Sequence, residues 1–366
     1  MLKRRQSRQI KVADVTIGGG APVSVQSMTT TDTRDVQASL AQIKTLAKNG
    51  CEIIRLAVPD MTAAQALKQI VIQSPIPVIA DIHFDYLLAL ESIVSGVHGI
   101  RINPGNIGSE DRVRQVAEAA GNAGISIRVG SNSGSISNKL MEKLRGSDGD
   151  NETLIAEALV QSALEQCQKL EAFAFDQIKV SLKASDVPLT LSACRRFANE
   201  TDYPLHLGVT EAGTPGRGII KSAVGIGALL LDGIGDTIRV SLTADPVQEI
   251  IAGIRILEAC GLRSAEPEIV SCPTCGRTEI ELIKLAEQVE QLINSIKASG
   301  KKISIKKIAV MGCVVNGPGE AKDADLGIAG AGKGRVAIFK QAKIIGTYDQ
   351  QEAFEILKNA ILQSSS

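Results

Sequence analysis

The sequence predicts an α/β protein, a (β/α)8 TIM barrel followed by a small α+β domain. Three observations point there. Eight short runs rich in Val and Ile recur before Gly261, each followed by a segment of helical pattern. At 366 residues the chain exceeds what a single core usually holds, so a barrel of ~250 residues plus a smaller domain is the natural division. Aromatic residues make up only 2% of the chain, and cores of Val, Ile, Leu, Ala and Gly suit parallel sheets covered on both faces.

Taken in order, the runs fall at 23–28, 52–58, 77–82, 99–103, 126–130, 177–182, 205–210 and 237–242. Helical patterns occupy 36–48, 63–73, 111–122, 152–170, 187–199 and 246–259, with glycine stops at Gly50, Gly124 and Gly261. Eight strand-helix units predict a closed barrel with its chemistry at the C-terminal ends of the strands. One connection is long: from Ser131 to Asn151 it is polar and glycine-spaced, which suits a lid at the barrel mouth or a plain surface loop. Arg263 to Glu268 reads as a linker. Beyond it come a long helix over 279–298, strands at 308–311, 325–329, 334–339 and 342–346, and a final helix over 351–363. The expected domains are therefore 1–262 for the barrel and 268–366 for the appended domain.

Composition narrows the function. The charges cancel, 40 against 40, which argues against a nucleic-acid surface. The opening Met1-Leu2-Lys3-Arg4-Arg5 has no apolar run behind it, and no stretch reaches the ~18 apolar residues of a membrane span. A cytoplasmic protein is expected, with its seven cysteines reduced or metal-bound.

The predicted barrel strands are apolar apart from a set of charged residues near their ends. Arg55, Arg101, Arg128 and Arg239 lie on four different strands, and Lys179 and Lys183 flank a fifth. Cations inside a barrel are costly without an anion, and four converging guanidiniums call for a ligand of high negative charge, for which bidentate phosphate is suited. Pairing with a neighbouring carboxylate explains any one of them but is a poor account of all four. Asp81, His83, His206 and Glu211 lie at the same end and can orient hydroxyls or move protons, although His206 also reads as a satisfied core residue. His98, in an apolar turn, reads as structural. Asn103 and Asn132 follow strand-borne arginines and can donate to phosphate oxygens. The stretch from Gly213 to Ser222 is a glycine-rich loop opening the helix after the seventh strand, a common phosphate position in such barrels that matches no nucleotide motif.

The appended domain carries Cys272-Pro-Thr-Cys275 and, after 37 intervening residues, Cys313-Val-Val-Asn-Gly-Pro-Gly-Glu320. A zinc knuckle wants a fourth thiolate or an imidazole, and no histidine follows His206. Three thiolates matching three irons of a 4Fe-4S cube, with the fourth iron held more weakly, is the arrangement that remains. Gly317, Pro318 and Gly319 favour a tight turn, and the plain alternative is an ordinary loop with a solvated Glu320. Cys260 is the rival to Glu320 as fourth ligand. Cys51, Cys167 and Cys194 read as small buried hydrophobes.

The stretches Ser271-Cys-Pro-Thr-Cys-Gly-Arg-Thr278 and Met311-Gly-Cys-Val-Val-Asn-Gly-Pro-Gly-Glu320 resemble the signatures of the 4-hydroxy-3-methylbut-2-enyl diphosphate synthases, iron-sulfur enzymes of the methylerythritol phosphate route to isoprenoids. The resemblance runs from about Arg4 to about Leu362. It implies one 4Fe-4S cluster per subunit on Cys272, Cys275, Cys313 and Glu320, and 2-C-methyl-D-erythritol 2,4-cyclodiphosphate as the substrate opened reductively. It further implies that Arg55, His83, Arg101, Arg128, Asn132, Lys183 and Arg239 hold the diphosphate, with Glu211 as the acid/base glutamate and Asn316 near the apical iron. Asp81, Asn103 and His206 are assigned to the same pocket. The resemblance also implies a homodimer whose cluster domain caps the partner's barrel, which the sequence does not distinguish from capping within one chain, and electrons from ferredoxin or flavodoxin; no flavin or nicotinamide fingerprint is present here. The larger plant-type form has a central domain for which this chain has no room. Two rivals stand beside this reading. One is a phosphosugar aldolase or pterin-type barrel with a zinc appendage. The other is a non-catalytic iron-sulfur sensor, which leaves the barrel cations without purpose.

Overall fold

The computed structural model describes residues 3–132, 136, 150–264, 267–313 and 323–366. The chain divides into two compact units, Met1–Arg263 and Ser264–Ser366.

The first unit opens with a hairpin absent from the sequence reading, β1 (Ile10–Val12) against β2 (Val15–Ile17), turned through Ala13 at φ 52°. The alternation then proceeds through β3 (Ser24–Met28), α1 (Val36–Lys48), β4 (Ile53–Ala57), α2 (Met61–Gln73), β5 (Val78–Asp81), α3 (Tyr86–Val94), β6 (Gly99–Arg101), α4 (Glu110–Ala123) and β7 (Ser126–Asn132). It continues with α5 (Asn151–Glu171), β8 (Ile178–Lys183), α6 (Val187–Glu200), β9 (His206–Leu207), α7 (Pro215–Leu231), β10 (Thr237–Ile238) and α8 (Pro246–Ala259). Aspartate starts most of these helices: the side chains of Asp35, Asp60, Asp85, Asp150, Asp186 and Asp245 accept from first-turn amides that would otherwise lack partners. Gly124, at φ 65°, ends α4.

The sheet order is β8-β7-β6-β5-β4-β3-β10-β9, parallel throughout, and a bridge from Val180 to Leu205 joins its two edges into the expected barrel. Alternate residues divide between two environments. Ile54, Leu56, Val78, Ala80, Ile127, Val129, Ile178, Val180 and Leu182 join the helices in one large core. Their neighbours point inward. At the N-terminal end the inward residues Ile53 and Ile79 pack with Ile10, Val12 and Ile17 of the hairpin, which therefore plugs the barrel bottom.

The strands expected over 205–210 and 237–242 shrink to two residues each, because the chain leaves the ladder there to build the mouth, with Thr210 N bonding Ala184 O and Thr243 N bonding Gly213 O. The candidate lid falls largely outside the described residues, at 133–135 and 137–149.

The second unit is a five-stranded sheet backed by helices. Its elements are β11 (Glu268–Ser271), α9 (Leu282–Ala298), β12 (Lys307–Met311), β13 (Leu326–Gly330), β14 (Arg335–Lys340), β15 (Lys343–Asp349) and α10 (Gln350–Gln363). Strand order is β11-β12-β13-β14-β15, parallel across the first three and antiparallel thereafter. Leu285, Val289 and Ile293 of α9 and Leu357 and Ile361 of α10 share a core with Val310, Ile328, Val336 and Ile338. Glu268 was expected in a linker; it begins β11, since Glu268–Ser271 pairs along Lys307 to Val310. Arg263 is tied to the barrel through Glu52. No helix of the described residues is long and apolar enough to cross a membrane.

Candidate functional site

The inward faces of the barrel strands bring the predicted cations together. Asp81 sits at the centre of one group: Arg55 Nε lies 3.5 Å from Asp81 Oδ2, Arg101 Nη1 lies 3.3 Å from Oδ1, and His83 Nε2 lies 3.7 Å from Oδ2. Burial alone would raise the Asp81 carboxyl, but the hydrogen bond from His83 and the charges of Arg55, Arg101 and Arg128 carry it below the usual carboxylate range. Asp81 is thus a charge partner for arginines before it is anything else. His83 is half-exposed and meets Arg101 Nη1 at 3.1 Å through Nδ1.

Arg239 has its own partner in a residue that the sequence reading missed. Glu249, buried on α8, accepts from Arg239 Nη2 at 3.4 Å, from Ser27 Oγ at 3.5 Å and from the Leu242 amide at 2.9 Å. A carboxylate one turn into an amphipathic helix gave no signal of facing a barrel mouth. The Met28 sulfur lies 3.1 Å from Arg55 Nη2 and 3.8 Å from Arg239 Nη1, between the two groups.

Among the described residues, Arg128 and the two lysines of β8 have no such ion-pair partners. Arg128 is buried, with Nε and Nη1 lacking hydrogen-bond partners. Its guanidinium is held well below its ordinary range by burial and then by Arg55 and Arg101. Lys183 is buried and likewise pushed down by burial and by Arg128, Arg55, Arg239 and Arg101. It fits only because residue 208 is glycine: a Cβ there would stand 2.8 Å from Lys183 Nζ and 2.7 Å from Arg239 O. His206 is fully buried, with Nδ1 2.6 Å from Thr237 Oγ1 and Nε2 without a partner, so it lies deeper than the mouth. Burial, Lys183 and Arg128 keep it neutral. His98 is structural, its Nδ1 accepting from the Val78 amide at 3.0 Å.

Among the described residues the barrel interior thus gathers Arg55, Arg101, Arg128, Lys179, Lys183 and Arg239 around two carboxylates, Asp81 and Glu249. Such an excess of buried positive charge is stable only with a polyanion to fill it or with protons given up. At the rim, Glu211 is exposed and holds a left-handed φ of 53°, a strained conformation for a non-glycine residue. Asn103 Oδ1 accepts from the Gly105 amide at 2.9 Å, which fixes its loop, and Asn132 ends β7.

In the second unit Cys272 follows β11 and Cys313 follows β12, at the C-terminal ends of adjacent parallel strands. Cys272 Sγ accepts from the Gly312 amide at 3.2 Å. The exposed Cys275 thiol is lowered, first by a backbone hydrogen bond from Arg277, and so favours the thiolate. Gly330 allows the cysteine strand a close neighbour: a Cβ there would stand 2.4 Å from Gly312 O and 3.3 Å from the Cys313 Cα. Among the described residues no three His, Cys, Asp or Glu converge on one ion. By their chemistry the three cysteine thiols suit an iron-sulfur cluster, whose irons each take one thiolate. Asn316 and Glu320 lie outside the described residues. Cys260, the rival ligand, belongs to the first unit, buried against Gly227 O at 3.8 Å. Cys51, Cys167 and Cys194 are buried, their thiols pushed up to about 12 chiefly by burial.

Known proteins align along nearly the whole chain. A 4-hydroxy-3-methylbut-2-en-1-yl diphosphate synthase (flavodoxin) from Ruminiclostridium cellulolyticum is 52% identical over 356 residues, covering 97% of this chain and 97% of that protein. One of the same description from Geobacter sulfurreducens is 54% identical over 342 residues, covering 93% of each. Among solved structures, the Yersinia pestis dihydropteroate synthase covers 70% of this chain and 99% of that one at a TM-score of 0.49 and 12% identity. The family description "GcpE TIM-barrel domain" matches residues 7–254, and "GcpE protein C-terminal domain" matches 268–363. With both of its domains matched in order, the chain belongs to the GcpE family.

Proposed function

We propose that this chain carries out the two-electron ring opening and dehydration of 2-C-methyl-D-erythritol 2,4-cyclodiphosphate to 4-hydroxy-3-methylbut-2-enyl diphosphate, with reduced flavodoxin as donor. The observation that carries the proposal is the buried excess of Arg55, Arg101, Arg128, Lys183 and Arg239 over Asp81 and Glu249, a lining that a diphosphate neutralises. Relatives about half identical over the full chain bear that enzyme's name.

In this reading residues 1–262 bind substrate and residues 268–366 hold the cluster. Arg55, His83, Arg101, Arg128, Asn132, Lys183 and Arg239 grip the diphosphate, and Asp81, Asn103 and His206 shape the pocket around it. When the ring C–O bond breaks, the freed phosphate oxygen gains negative charge, and the guanidiniums are already positioned to receive it. Glu211 gives a proton to the departing hydroxyl, which leaves as water. Cys272, Cys275, Cys313 and Glu320 would hold a 4Fe-4S cluster, which would supply electrons one at a time, and Asn316 is assigned to the same site. The enzyme is proposed to act as a homodimer in the cytoplasm, whose reducing character suits seven free thiols.

Anaerobic purification with an absorption spectrum and iron count, followed by turnover of the cyclodiphosphate with reduced flavodoxin, tests the proposal. Zinc in place of iron refutes the cluster, and a bound cluster without turnover refutes the reaction.

A further inference from the structure

Beside the arginines, the barrel interior holds a buried lysine to which the proposed reaction assigns no role. Among the described residues Lys179 is one of the largest side chains that are fully buried, and its Nζ has no hydrogen-bond partner there. It alternates with Ile178 and Val180, which face the helix layer, so it points into the barrel, in register with Arg128 on the neighbouring strand. The Gln26 amide and His206 Nε2 are also buried and unpartnered.

An ammonium in that position is unstable on elementary grounds. Its charged neighbours are Arg128 on β7 and Arg55 on β4, both cationic, with neutral His206 on β9. The one carboxylate acting on it, Asp236 ahead of β10, is already committed to Ser7 Oγ at 2.7 Å, to the Leu205 amide at 2.8 Å and to Arg4. Burial first, and Arg128 second, pull the Lys179 ammonium down to about 7 against the weaker pull of Asp236.

We propose that Lys179 is a proton-accepting residue of the anion pocket, neutral in the empty barrel and charged once a diphosphate occupies the pocket. The inference rests on the diphosphate-binding reading of the pocket. Binding of the dianion lowers the cost of a buried positive charge, so the site draws a proton from solvent and holds it. The charge is then in place when ring opening adds a further negative charge to the diphosphate. In the cyclic substrate each phosphorus carries one strongly acidic oxygen, so the ligand itself has no proton to exchange near neutrality.

Calorimetric titration of the oxidised holoenzyme with the cyclodiphosphate, in buffers of different ionisation enthalpy, counts the protons taken up. The wild-type protein is expected to take up protons at about pH 8 and to lose the Lys179 share as the pH falls to about 6, where that group is already charged. Lys179→Met and Lys179→Arg should each lower the uptake at about pH 8 by up to about one proton while substrate still binds, any remainder belonging to Lys183. Uptake unchanged in both variants overturns the inference, and so does an absence of uptake by the wild-type protein, a measurement that needs no variant to fold. Arg101→Ala is the control. If it fails to weaken binding, the reading of the pocket itself is wrong. If it weakens binding while the Lys179 variants leave proton uptake unchanged, only the present inference fails.

Discussion

At the scale of single residues, the pocket works by leaving charges incompletely paired. Glu249 is the clearest case of a partial remedy, since one carboxylate holds Arg239, Ser27 and the Leu242 amide at once. Glu249→Gln keeps the shape and removes the charge that restrains Arg239. Michaelis-Menten kinetics should show KM raised by about tenfold, ~1.4 kcal/mol, with kcat little changed. An unaltered KM would mean that the backbone, not Glu249, sets the arginine. Lys179 gives a pH signature in the empty protein. Its ammonium is pulled down to about 7 in the fold, whereas an unfolded chain holds that proton until about 10.4. Across that window the unfolded chain binds more protons, so stability rises with pH, and below it the gain is absent. Thermal melts of substrate-free protein should rise between about pH 7 and pH 10, and Lys179→Met should flatten the rise. A slope identical in the variant would remove Lys179 from the linkage.

At the scale of elements, a glycine just past a short strand makes room for a long polar side chain from its neighbour. Gly208, just past β9, faces Lys183 and the Arg239 carbonyl so closely that a methyl group has no room. Gly208→Ala should destabilise the protein by about 1–3 kcal/mol and displace Lys183, seen as a lower Tm together with weaker substrate binding. A loss of Tm alone would separate the glycine's packing role from the site. Helices were the most legible elements, since Val36–Lys48 and Pro246–Ala259 match their sequence patterns residue for residue, with aspartate caps marking where strands give way to helices. The hairpin β1–β2 and strand β11 were not legible. Three or four residues with at most two buried positions carry too little periodicity to stand out. The arginine set was legible because a cation in an apolar strand violates the local pattern. Glu249 was not, because a glutamate in an amphipathic helix violates nothing.

At the scale of the molecule, two cores divide the labour. The barrel core runs from Val23 to Cys260 and the second core from Leu282 to Ile361, with no member in common. Each unit therefore has its own basis for stability. Cys313→Ser should abolish iron content and lower the melting transition of the second unit, while the barrel transition, followed by calorimetry, stays in place. A barrel transition that falls equally would show the two units unfolding as one. Motif spacing exposed the cysteines, and the structure adds how they are mounted, on the ends of neighbouring parallel strands with glycine behind them.

The N-terminal hairpin has a kinetic consequence. With Ile10, Val12 and Ile17 packed against Ile53 and Ile79, the described residues close the barrel at its floor and leave the mouth as its doorway. Whatever is made inside must back out by the route its precursor used, so a lingering diphosphate product bars the next arrival. Initial rates measured with added product should give competitive inhibition, with an unchanged limiting velocity.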